Sequence, residues 1–72
     1  MSAPRIRLQF ARRLQEERKK AGLTQEEVAE YIGLSVRYYQ MLESKKPTAV
    51  KIDTIDKLAK AFKISPSKLF DF

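Results

Sequence analysis

Residues 25 to 44, QEEVAEYIGLSVRYYQMLES, read as two short helices broken by one tight turn. The break is Ile32-Gly33-Leu34-Ser35, where glycine can take a left-handed backbone conformation at no steric cost and so suits the position just past a helix end. Thr24-Gln25-Glu26-Glu27 forms a capping box ahead of the first helix. Its threonine oxygen is placed to accept from the Glu27 amide, and its Glu27 carboxylate to reach back to the Thr24 amide. Leu23 and Val28 flank the box at staple spacing. Beyond the turn, Ser35 can cap a helix beginning at Val36, with Leu34 and Tyr39 as the staple. Two capped helices thus stand three residues apart.

Working outward, a first helix is expected from Pro4 or Arg5 to Ala21. Ile6, Phe10 and Leu14 recur every four residues, Arg18 continues the row, and Arg5, Arg12, Arg13, Lys19 and Lys20 lie largely off it. Residues 1–6 are expected to extend this helix or to fray. After the central pair, Lys45-Lys46-Pro47-Thr48-Ala49-Val50-Lys51 loses all periodicity and reads as a loop. Ile52, Ile55, Leu58, Ala59 and Phe62 then predict a fourth helix, from about Ile52 or Asp53 to Phe62, with those residues in the core. Ser65-Pro66 opens a fifth short helix, with serine as cap, proline in the first turn and Ile64 and Leu69 as staple. The expected fold is an all-α bundle of five helices in one domain spanning residues 1–72.

Composition bounds what such a bundle can do. At 72 residues without cysteine or histidine, it has no disulfide framework and no plausible zinc site, so packing alone must hold it. No apolar run is long enough to span a membrane, and Met1-Ser2-Ala3-Pro4 leads into charged helix instead of a signal-peptide core. Enzyme readings fail on inventory: there is no phosphate loop, histidine base or cysteine nucleophile. The glutamates at 16 and 17, or 26 and 27, are expected on helix surfaces about 100° apart, which is no geometry for a catalytic pair. Ser65-x-x-Lys68 matches a penicillin-binding-protein fragment only in letters. No cofactor, metal or small-molecule ligand is expected.

The net charge of +6 favours a polyanionic partner. Residues 1 to 20 carry seven basic and two acidic groups, residues 21 to 43 one and four, and residues 44 to 51 three and none. The central pair is locally acidic, so contacts to a polyanion fall mainly to its flanks.

Counted from Gln25, the apolar positions Val28, Ile32, Leu34, Tyr39 and Leu42, the small Ala29 and the turn Gly33 arrive together in helix-turn-helix register. With GLTQEEVAEYIGLS, Leu42-Glu43 and IDTIDKLAKAFKIS, the chain from about residue 10 to 70 resembles the Cro-type, lambda-repressor-like family of DNA-binding domains. Two residues depart from it. Tyr39 stands where the family usually carries a smaller branched residue, and Lys45 where it usually carries glycine. The loop after the second helix is one residue longer than usual.

The resemblance implies double-stranded DNA as partner, transcription regulation in a bacterial or phage cytoplasm beside the nucleoid, and repression by a homodimer on a two-fold symmetric operator. The family also includes antitoxins and restriction-modification controllers, and a protein-interaction module on the same fold is a rival reading. The reader is expected to be Val36 to Ser44. With Tyr39 at the core, Leu42 and Glu43 fall within about 60° of it, Arg37, Met41 and Ser44 point away, and Tyr38 and Gln40 lie on the flanks. Arg37 can clamp a guanine edge or a phosphate, and Met41 and Val36 can meet thymine methyl groups. Ser35, Lys45 and Lys46 complete the expected DNA surface. By the resemblance, Gln25 touches a phosphate from the start of its helix, and Arg18 pairs with Glu43. Leu69, Phe70 and Phe72, crowded at the terminus, are expected to meet a second subunit.

Overall fold

The computed structural model describes residues 4–72 and contains four α-helices: α1 (Arg5–Lys20), α2 (Gln25–Ile32), α3 (Val36–Leu42) and α4 (Ile52–Phe62). A 3-10 turn at Pro66–Phe70 follows, and no strand occurs among the described residues. The fifth helix is thus a tight turn and not an α-helix. Ser65 does not cap it; its hydroxyl instead meets that of Ser67 at 3.1 Å. Five residues suffice only to drop Leu69 into the core and lay Phe70 on Phe10, and the tighter winding does that within one turn. Of the stretch expected to fray, residues 1–3 lie outside the described residues, whereas Arg5 and Ile6 are already helical.

The central pair forms through its local signals. Glu27 N donates to Thr24 Oγ1 at 3.0 Å and Thr24 N to Glu27 Oε1 at 2.9 Å, closing the capping box. Gly33 ends α2 at φ 73°, and Leu34 N reaches back to the Ala29 carbonyl at 3.0 Å. Ser35 Oγ accepts from Tyr38 N at 3.1 Å and opens α3. That helix ends at Leu42, two residues short of the expected Ser44. Ser44 instead donates its hydroxyl to the Met41 carbonyl at 2.8 Å and accepts from Lys46 N, a side-chain alternative to further helical bonds. Pro47 then bars continuation.

Leu14, Val28, Tyr39, Leu58 and Leu69 are fully buried and, with Phe10, Ala29, Ile32, Leu42, Ala59 and Phe62, make one core shared by all four helices and the turn. Leu69, expected at a subunit contact, is therefore internal at 0% exposure. Ile52, expected in the core, is 81% exposed, and Thr54 is buried in its place. Ile55 is only half-buried, so the core stripe of α4 starts two residues later than its apolar spacing suggests; in α1, Ile6 faces out although it continues the core row. Glu17, expected on a surface, is buried, with Arg13 3.7 Å and Lys20 3.4 Å from its carboxylate. Arg13 also donates to the Asp71 carbonyl and ties the C-terminal end to α1. The one non-glycine residue with positive φ among those described is Lys63, at 58°, where it ends α4; Lys45, which replaces the usual family glycine, adopts no such conformation.

Candidate nucleic-acid interface

Helix α3 is anchored from its inner face. Tyr39 and Leu42 are fully buried one turn apart, which turns Arg37, Gln40 and Met41 to the outside. Met41 is 44% exposed, a large apolar side chain without a partner on the surface of a helix. Val36 and Tyr38 are half-buried against the core, and the Tyr38 hydroxyl leans on the Ala49 carbonyl at 3.5 Å, so Tyr38 braces the loop more than it projects. Ser35 and Ser44 are exposed, but their hydroxyls are engaged in the cap and in the Met41 bond. Lys45 and Lys46 stand exposed in the loop.

Behind this face lies an ionic network. Arg18 Nε is 2.7 Å from Glu43 Oε2 and Nη2 is 3.1 Å from Oε1, a two-pronged pair, while Nη1 donates to the Leu23 carbonyl at 2.9 Å. Gln25 Nε2 donates to the same carboxylate at 3.1 Å. One carboxylate at the end of α3 thus gathers α1 and the start of α2. The Arg18 and Glu43 side chains are 13% and 3% exposed. Burial acts to raise the Glu43 carboxyl, but Arg18 first, then Tyr39 and Gln25, outweigh it and hold it below the ordinary glutamate range. Arg18 is shifted up, chiefly by its bond to Glu43. The Tyr39 hydroxyl is buried beside them without a hydrogen-bond partner of normal geometry. Burial first, and the Glu43 carboxylate next, push its ionisation far above the ordinary phenol range, so it stays neutral.

The expected site residues therefore divide. Arg37, Gln40 and Met41 share one outward face, Lys45 and Lys46 flank it, and Gln25 stands at the head of α2 with one amide hydrogen already given to Glu43. The Gln25–Glu43 link escaped the sequence reading because eighteen residues separate the two and no local pattern joins them. Of the terminal apolar residues, Phe70 lies stacked on Phe10, with ring centroids 5.0 Å apart, and keeps 38% of its surface exposed, while Phe72 keeps 51%. Phe70, Ile6, Phe10, Val50 and Ile55 line a shallow apolar groove of about 240 Å³. Among the described residues no group of side chains could hold a metal ion, and no helix is long and apolar enough to cross a membrane.

A helix-turn-helix family model matches residues 14–69. Among solved structures, the restriction-modification controller protein C.AhdI from Aeromonas hydrophila is 38% identical with a TM-score of 0.83, over 89% of this chain and 96% of that one. The hypothetical transcription factor NHTF from Neisseria is 26% identical, also with a TM-score of 0.83, over 97% of this chain and 83% of that one. No curated protein sequence matches. The family match runs from the middle of α1 through the capped pair and the core of α4 to Leu69, and the chain belongs to the Cro-type helix-turn-helix family of DNA-binding transcription regulators.

Proposed function

We propose that this regulator is a homodimeric repressor that places the outer face of α3 in the major groove of a two-fold symmetric operator. The observation that carries this reading is the division of α3 itself: a fully buried inner face of Tyr39 and Leu42, and an outer face of Arg37, Gln40 and Met41 with nothing packed on it. Arginine offers a planar fork to guanine O6 and N7, and methionine an apolar contact to a thymine methyl. Gln25, Lys45 and Lys46 serve as backbone contacts that set register. A seven-residue reader spans only a few base pairs, so useful specificity calls for two of them about 34 Å apart. The exposed Phe70, Phe72 and Ile52 supply apolar surface for that pairing.

Selection from a random duplex library with the pure protein tests the reading. A two-fold symmetric consensus is expected, with affinity falling steeply as salt is added. Recovery of no consensus, or binding indifferent to salt, would instead mark a protein-interaction module. A narrower role, control of a restriction-modification system, is favoured by the likeness to the Aeromonas hydrophila controller over nearly the whole of both chains. Selected sites lying beside restriction or methyltransferase genes would support it.

A further inference from the structure

Helix α1 carries cations of two kinds. Arg13 lies 3.7 Å from the Glu16 and Glu17 carboxylates, Arg18 is held by Glu43, and Lys20 is 3.4 Å from Glu17. Arg12 is exposed and has no carboxylate partner among the described residues. It lines a notch of about 190 Å³ between α1 and the segment that follows α3, with Leu8 and Ala11 beneath, Gln15 beside it and Ser44 and Lys45 opposite. Lys45 is likewise exposed and unpaired among the described residues, and no carboxylate lines the notch. Two uncompensated cations and an amide therefore face one concavity.

The notch opens beside the end of α3, the helix proposed to read DNA. Arg12, Gln15 and Arg18 follow at three-residue steps and so form a slanting strip that turns about 60° around α1 at each step. At one end of the strip, Arg18 meets Glu43, which holds Gln25 at the head of α2. At the other, Arg12 and Gln15 meet Ser44 and Lys45 just past the last turn of the reader. Ser44, whose hydroxyl is committed to the Met41 carbonyl, is a wall of the notch and not a donor. Two cations and an amide donor with no carboxylate among them suit a phosphate oxygen.

We propose that this notch seats the DNA sugar-phosphate backbone, with Arg12 and Gln15 of α1 and Lys45 of the loop as donors, an inference that rests on α3 being the reading helix. Binding of Arg12→Ala, Gln15→Ala and the double variant to the selected operator and its single-base variants tests it. Lys57→Ala, which removes an exposed charge outside the notch, serves as control and Arg37→Ala as the reader's reference. Arg12→Ala is expected to weaken every duplex alike, roughly tenfold, and to lower the slope of log affinity against log salt by about 0.9, while base preferences and the melting temperature stay as in the parent. Gln15→Ala should weaken binding with the slope kept, because it removes a neutral donor. If Arg12→Ala matches Lys57→Ala in affinity and slope while Arg37→Ala still changes base preference, the notch is not a backbone seat and the reader stands. If the parent protein selects no duplex, or Arg37→Ala leaves preferences intact, the reading of α3 fails and takes the notch with it.

Discussion

Glu43 ties three helices together, because its one carboxylate accepts from Arg18 and Gln25 at only 3% exposure. Removing either member of the Arg18–Glu43 pair leaves a buried charge unmatched, at a cost of about 3 kcal/mol. Denaturant melts of Arg18→Met, Glu43→Gln and the double variant should reveal strong coupling, with the double variant less damaged than the sum; additive losses would sink the pairing as a unit. Because the folded-state carboxyl is held below its ordinary value of 4.5, its stabilisation is fully present above that pH. It is lost as the pH falls through the lower folded value. The parent should therefore lose stability on acidification more steeply than Glu43→Gln. Tyr39 makes a contrary case. Its buried hydroxyl has no partner of normal hydrogen-bond geometry, and such a group carries a desolvation cost of about 1 to 3 kcal/mol, so Tyr39→Phe should match or exceed the parent's stability. A loss above about 1 kcal/mol in urea would mean that the hydroxyl bonds Glu43 in solution.

At the scale of elements, the caps decide where helices stop and the inner faces decide which way they turn. Helix α4 ends at Lys63 in a left-handed conformation that costs an ordinary side chain roughly 1 kcal/mol. Lys63→Gly should raise the midpoint of thermal unfolding by a few degrees, about 4 to 8 °C per kcal/mol for a domain of this size, and calorimetry reads it directly. In the proposed reading, helix α3 answers for specificity. Arg37→Ala should relax preference at one guanine per half-site, by about 1 to 3 kcal/mol of discrimination, and Met41→Ala at a neighbouring thymine. Affinities on a panel of single-base operator variants decide it. A uniform loss for Arg37→Ala, with preferences kept, would make the arginine a phosphate clamp and Gln40 the better reader. Tyr38 is a weaker candidate, since its ring is half-buried and its hydroxyl rests on Ala49.

For the molecule as a whole, the proposed homodimer turns on the apolar surface left for a second copy. With Leu69 inside the core and Phe70 partly committed to Phe10, the exposed apolar side chains proposed for a partner are Phe72, Ile52 and the outer part of Phe70. Phe72→Asp and Ile52→Asp should shift sedimentation from dimer to monomer and weaken operator binding, with little change in the melt of the monomer because both side chains are exposed. A parent protein that sediments as a monomer at high concentration, with and without operator DNA, would refute the dimer.

Local chemistry written into consecutive residues was legible without the structure. The Thr24 capping box, the Gly33 stop, the Ser35 cap and the inward position of Tyr39 and Leu42 all depend on neighbours within one or two turns, so their spacing alone determined α2, the turn, the start of α3 and the family they resemble. What escaped depends on partners far along the chain. Ile52 and Ile55 have helical spacing, but only the arrival of α2 and the terminal turn decides that Thr54 goes in and Ile52 stays out. Ser65-Pro66 promises a helix end of some kind, yet the demand that Leu69 reach the core and Phe70 reach Phe10 selected a 3-10 turn. The Gln25–Glu43 bond exists only once α2 and α3 fold together, and the burial of Glu17 and the notch lined by Arg12 only once α1 is laid across the others. Caps and periodicity are short-range and can be read in one dimension, whereas burial and charge compensation are set by whichever distant surface packs alongside.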